Sequence, residues 1–236
     1  MLAFQVSLSG VQAGLARLDV SADNVANVET PAFQASRVDQ VDLRGGGSAV
    51  GSVRVQTNPG PIQVDGGPFQ MAVLGDGFFR VQTPEGDRFT RAGSFHVDGQ
   101  GNLVTPDGHP LLPGVQVPPG ASSLHVAADG RVSANFADGT TQNLGQIELS
   151  RFNNPGGLMR TGDNLSAAGP ASGDPITGQP GSGGLGQILF GAMEGSNVDL
   201  ATEMVNQIVA KFAVKANLKA IKAQDETLGD LLDIKG

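Results

Sequence analysis

The sequence predicts an α+β chain: N- and C-terminal helices form an antiparallel coiled-coil-like unit, and an antiparallel β domain is inserted between them. Apolar residues step by threes and fours near both ends, and two-residue alternation fills the middle. Gly 35 and Pro 14 among 236 residues supply the turns that short strands need.

Phe4, Leu8, Val11, Leu15, Leu18, Ala22 and Val25 keep the three-four rhythm, so residues 1–30 read as a helix with one apolar seam. Pro31 disfavours helical geometry at Thr30, and Asn27 can take the left-handed cap conformation, so the helix ends near Asn27. Asn24 and Asn27 share a face at that end and can satisfy its backbone groups.

Residues 31–68 read as an extended connector of short β-prone pieces broken by Gly45-Gly46-Gly47 and Asn58-Pro59-Gly60-Pro61. Residues 69–167 read as the β-rich domain. Its alternating pairs include Met71 and Val73, Phe79 and Val81, Leu124 and Val126, and Ile147 and Leu149. The Asp-Gly pairs at 76–77, 98–99, 107–108, 129–130 and 138–139 mark tight turns. Residues 168–194 read as a Gly/Pro-rich return connector with one short strand at 187–190.

Residues 195–236 read as the C-terminal helix. Ser196 or Asn197 can cap it, and Asp199 and Glu203 suit the positive end of its dipole. It carries two apolar tracks. Val198, Ala201, Val205, Ile208 and Phe212 form a seam expected to pack on the N-terminal helix. Val214, Leu218, Ile221, Leu228 and Leu232 form a second track, turned by roughly 200° from the first and expected to meet a neighbouring subunit.

Composition excludes several classes. The net charge of -8 offers no broad attraction to nucleic acid or an anionic membrane. Cys 0 excludes disulfides, thiolate metal sites and a cysteine nucleophile. The longest apolar runs fall short of the roughly 18 residues of a membrane span, and the first residues lack the pattern of a cleavable signal.

No cofactor, metal or catalytic group is expected. Residues 181–186 match GxGxxG, but a Gly/Pro stretch precedes them where a dinucleotide site needs a strand. His96, His109 and His125 lack metal-ligand spacing, the Asp98 loop lacks the later bidentate Glu of a calcium site, and Asp76 and Glu85 are explained as turn residues. On these residues alone, a helical building block competes with a secreted β-rich module that binds through Gly-rich loops.

Several blocks decide between them. They are Ser9-Gly10-Val11-Gln12-Ala13, Leu18-Asp19-Val20 and the run from Asn24 to Phe33 with its Asn-x-x-Asn-x-x-Thr core. Leu74-Gly75-Asp76-Gly77-Phe78-Phe79 and Phe89-Thr90-Arg91-Ala92-Gly93-Ser94-Phe95 follow. Glu194-Gly195-Ser196-Asn197-Val198, Met204-Val205-Asn206 and Asn217 complete the set. Over nearly the whole chain these resemble the bacterial flagellar rod and hook family of axial proteins. Asn153-Asn154-Pro155-Gly156-Gly157-Leu158 and the last helix look most like its distal-rod members. Asn24, Asn27, Thr30, Ser196 and Asn197 are the family-motif positions. Two departures stand out: Ala32 replaces the usual Gly before the aromatic, and Lys211-Phe212-Ala213-Val214 replaces a Gln-Arg-Ala-aromatic run.

The resemblance implies a non-enzymatic subunit that polymerises helically through its terminal helices and transmits torque from motor to hook. It would be exported without a cleavable signal by the flagellar type III apparatus to the periplasm-spanning rod of the basal body. Its partners would be identical subunits, other axial proteins and the surrounding ring proteins, with a hook-like position as the nearest alternative.

Overall fold

A computed structural model describes the backbone of residues 2–64 and 67–233, and side chains from 3 to 229 within that range. The chain divides into two compact units. One contains both helices and Ala35–Gln56, and the other contains Glu29–Gln34 and Thr57–Asn197.

In the helical unit, α1 (Leu2–Ala26) and α2 (Leu200–Asp233) pack together. Gly10 lies against Asn217, Gly14 against Val214, and Ser21 against Glu203, so the pairing is antiparallel. At 1.5 Å per residue, the 25 residues of α1 span about 37 Å and the 34 of α2 about 51 Å. α2 therefore outruns its partner.

The cap of α2 is Asp199, not Ser196 or Asn197. Its carboxylate accepts the N–H groups of Ala201 at 2.9 Å and Thr202 at 3.2 Å, which the first turn of a helix otherwise leaves unpaired. Asn197 instead donates to the Asn58 carbonyl at 2.7 Å and is not part of the cap. The helix runs through Gly229 to Asp233.

Residues 31–68 are not simply an extended connector. Ser36–Asp42 and Ser48–Val55 form an antiparallel hairpin with a bulge between Asp39 and Gln40, and it packs along α1. At its tip the Ser48 N–H donates to Ser9 Oγ at 3.3 Å, where the backbone of Gly47 approaches the helix too closely for a Cβ.

In the β unit, the largest sheet among the described residues is seven-stranded and antiparallel. Its path runs Met159–Gly162, Leu165–Ala167, Gly86–Thr90, Phe78–Thr83, Leu149–Arg151 and Ile176–Gly178, with Leu111–Leu112 pairing Phe78–Thr83. Beside it lies a three-stranded meander of Ala121–Val126, Arg131–Phe136 and Thr141–Gln146.

The return segment is sheet as well. Ile176–Gly178 pairs Leu149–Arg151, Gln187–Phe190 pairs Met71–Leu74, and Ala192–Glu194 pairs Ile62–Val64. The strand Gln187–Phe190 is the one expected from the sequence, whereas periodicity misses Ile176–Gly178 and Ala192–Glu194, which are three residues long and bordered by Pro or Gly.

Alternation correctly marks the inward residues: Met71, Val73, Phe79, Val81, Ile147 and Leu149 all join one core. A satellite cluster stacks Phe89 edge-on against Phe152 at 4.8 Å, with Phe78 on the other side. The Asp-Gly turns hold φ near +85° at Gly108, Gly130 and Gly139. The turn after Asp98 places its positive φ at Gly101 instead.

Two sequence blocks meet in a buried ion pair. Arg91 Nε donates to Glu194 at 2.8 Å, and its other nitrogens donate to the carbonyls of Val73, Gly75 and Gly77. Glu194 also accepts the Gly60 N–H at 3.1 Å. Both ionic side chains are almost wholly out of water, where a lone charge is far costlier than a paired one.

Arg91→Met should therefore destabilise the chain by about 3–5 kcal/mol in urea unfolding, because Glu194 is left buried and unpaired. Glu194→Gln should cost less, since glutamine still accepts the Gly60 N–H.

Asp199→Ala should lower the melting temperature of α2 followed by circular dichroism, while Asp199→Asn retains most of the cap. The N–H of Thr202 holds the Asp199 carboxyl below the ordinary aspartate range. Its contribution is thus fully present above about pH 3.9 and is lost as pH falls through the lower folded value. A wild-type and Asp199→Asn comparison across that window reads it.

Candidate assembly interface

The contact between α1 and α2 is made of small side chains. Ala13 is 2% exposed and Ala210 is wholly buried, with Ser7, Ser21 and Asn24 also buried on the α1 side. A Cβ on Gly14 would lie 2.5 Å from Val214 Cγ2, and one on Gly10 would lie 2.7 Å from Asn217 Nδ2. Glycine at these two positions lets the helices approach and receives Val214 and Asn217 as knobs.

The large apolar residues of the expected seams lie elsewhere. Phe4, Leu8 and Leu15 are exposed, and Val11, Leu18 and Val25 are half-buried. On α2, Val205 is 58% exposed, Ile208 53% and Phe212 65%, while Val198 is half-buried. Each exposed residue sits two positions from a contact residue, as Leu8 does from Gly10 and Phe212 from Ala210. That offset is about 200° around a helix.

The expected division of α2 into an inner and an outer track does not hold: the first track is largely exposed, and the second is split between the two sides. Val214, assigned to a neighbouring subunit, meets Gly14 of its own chain, and Ile221 is half-buried. Leu218 and Leu228 are exposed, and the side chain of Leu232 lies outside the described residues. Periodicity locates the faces but ranks them by hydrophobicity. Close helix approach instead selects the face with the smallest side chains.

Of the motif positions, Asn24 is the most constrained. Its amide Nδ2 donates to the Ser36 carbonyl at 2.9 Å and to Glu203 Oε1 at 3.1 Å, and its Oδ1 accepts the Ser36 N–H at 2.8 Å. It thus joins α1, α2 and the hairpin. Asn27 donates back to the Asp23 carbonyl at the helix end, as a satisfier of backbone groups should.

The Thr30 carbonyl accepts the Phe33 N–H in a turn where Ala32 is held at φ +52°, a left-handed conformation that explains the family's glycine there. The Asn197 N–H donates to the Phe33 carbonyl, while Ser196 is half-buried. Arg91 and Glu194 lie in blocks that carry the resemblance, and Glu203 stands out in the sequence only as an acidic residue near the helix start, so none of the three reveals its partner. A charged residue inside an otherwise small or apolar block was the available signal.

The candidate chemical motifs are occupied structurally. Gly181 donates to the Gly186 carbonyl in a closed loop that runs into the strand Gln187–Phe190 rather than into a helix. Asp98 spends its carboxylate on the N–H groups of Gln100 and Asn102 and on the Asn102 side chain, which holds its carboxyl below the usual range. Glu85 pairs with Arg88 at 2.9 Å in its own turn. Among the described residues, no three of His, Asp or Glu gather as a metal site, and no helix is long and apolar enough to cross a membrane.

A cleft of about 430 Å³ in the β unit is lined by Asp76, Phe78, Arg151 and Phe152, and by Arg91, whose donors are directed at Glu194 and backbone carbonyls.

Comparison with known proteins addresses the whole chain. Residues 4–34 match the family described as flagella basal body rod protein, residues 72–134 the flagellar hook protein FlgE/F/G D1 domain, and residues 191–234 the flagellar basal body rod FlgEFG protein C-terminal region. The flagellar basal-body rod protein FlgG of Bacillus subtilis is 37% identical over 97% of both chains. That of Borreliella burgdorferi is 34% identical over 100% of this chain and 99% of its own. The flagellar hook protein FlgE of Salmonella typhimurium is 40% identical over 58% of this chain, but over only 33% of its own. Full-length agreement in both directions separates the rod proteins from the hook protein, and on it the chain belongs to the flagellar basal-body rod protein FlgG family.

Proposed function

We propose that the chain is a structural, non-enzymatic subunit of the distal flagellar rod, polymerising with identical copies and other axial proteins to carry torque from motor to hook. Family membership supports the axial role, and one structural observation carries the assembly surface. Val205, Ile208 and Phe212 form an apolar stripe on α2, turned away from the face that contacts α1. An exposed stripe of this size on a chain with its own complete core marks an interaction surface.

Burying each of these side chains against a neighbour contributes about 1.5–3 kcal/mol, repeated at every subunit of a polymer. Phe4, Leu8 and Leu15 offer a matching stripe on α1. In this reading the ring proteins of the basal body surround the assembled rod, and the chain reaches it through the flagellar export apparatus.

Ile208→Asp with Phe212→Asp tests the stripe. Polymer formation, followed by sedimentation and electron microscopy, should be lost because the substitutions place charge in an apolar contact. Far-ultraviolet circular dichroism and the melting temperature should stay close to wild type, since both positions are already exposed. Normal polymers from the double variant would remove this stripe from the assembly surface. Collapse of the monomer's fold would show that it belongs to the chain's own core.

A further inference from the structure

The small-residue contact of α1 with α2 has steric keys at Gly10 and Gly14, but toward the start of α2 the pairing is held by polar atoms. Glu203 Oε2 accepts the Ser21 hydroxyl at 2.5 Å, and the Glu203 backbone carbonyl lies 3.2 Å from the same oxygen. Glu203 Oε1 accepts Asn24 Nδ2, whose other donor and whose acceptor are both committed to the backbone of Ser36. Asn24 is 1% exposed. One carboxylate thus reads two positions on α1 three residues apart, and through Asn24 it reads the first residue of the strand Ser36–Asp42.

The keys at Gly10 and Gly14 resist a slip at one end of the contact, but no glycine hole receives a knob near Ser21 and Asn24, so packing there does little to fix the alignment. A polar contact that can be satisfied in only one alignment penalises a slip there, because a slipped helix leaves buried donors and a carboxylate unpaired. We propose that Glu203 is a positioning residue that fixes the register of α1 against α2 and the hairpin. Through that register it sets the alignment of the exposed stripes at Phe4, Leu8 and Leu15 and at Val205, Ile208 and Phe212. The consequence for polymerisation rests on the assembly reading above, whereas the register is a property of the single chain.

The absence of cysteine allows the register to be read directly. Gly10→Cys with Asn217→Cys places two thiols at the native contact, within the reach of a disulfide. Gly10→Cys with Ala213→Cys, or with Ile221→Cys, reports a slip of about one turn in either direction, and because Gly10→Cys itself adds a side chain to the close contact, each yield is read against the same cysteine pair with Glu203 intact. In the full-length chain the native pair should close as the dominant intrachain disulfide.

Adding Glu203→Ala should lower its yield several-fold and raise that of a slipped pair, and without the cysteines this variant should polymerise poorly while keeping its helix content. Glu203→Gln can still pair with Ser21 and Asn24 and should restore both readouts. Asn24→Asp, which sets a second carboxylate against Glu203, should repeat the defect. Native cross-linking in Glu203→Ala, or a register defect accompanied by normal polymers, would overturn the proposal. Failure of the wild-type chain to polymerise would count against the assembly reading, and the cross-linking ratio would still decide the role of Glu203.

Discussion

The helical unit depends on how closely two backbones can approach. Gly10 and Gly14 remove the side chains that would hold α1 off α2, and Ala210 lies against Gly14 across the contact. With the smallest residues committed to that contact, the larger apolar residues necessarily lie on other faces. The arrangement would be poor for a chain that stays alone in water. Under the assembly proposed above, those side chains are buried against neighbouring subunits, where repeated contacts multiply a modest contribution per residue.

Close approach also leaves room for polar contacts. Ser21, Asn24 and Glu203 meet across the helix pair, and Asn24 presents its amide to Ser36 as a neighbouring strand would. The hairpin is therefore fastened to α1 at its first strand through Asn24 and at its tip through Ser9. The hairpin, which exposes Val41, Val50 and Val53, is thus held by side-chain bonds as well as by packing. A surface that must match a neighbour gains from such fixing, since any freedom within it would be lost on assembly.

The β unit solves a different problem. It has a large apolar core and pairs its return strands with its first ones, yet it also buries an ion pair between Arg91 and Glu194, hydrogen-bonded away from water. Such a pair adds little net stability over an apolar one, but it tolerates only one partner and one geometry. The carbonyls of Val73, Gly75 and Gly77 converge on the guanidinium, so the Gly-rich turn and the distant arginine form one site.

Local order was largely legible in the sequence. The three-four rhythm located both helices, the two-residue alternation located the core strands, and the excess length of α2 over α1 followed from residue counts. The motif blocks carried the family, which full-length relatives share. What the sequence could not decide was which face of each helix turns inward, since hydrophobic periodicity records that a stripe is buried somewhere and not by whom. Nor could it place Ser36–Asp42 beside α1, or join Arg91 to Glu194 across more than a hundred positions, because short strands and single charges acquire meaning only from partners brought near by folding. By itself the sequence determined two amphipathic helices around a turn-rich β domain. Only the tertiary structure decided that small residues make the internal contact and large ones face outward, because the distance between two helix backbones is set by the pair of surfaces and not by either alone.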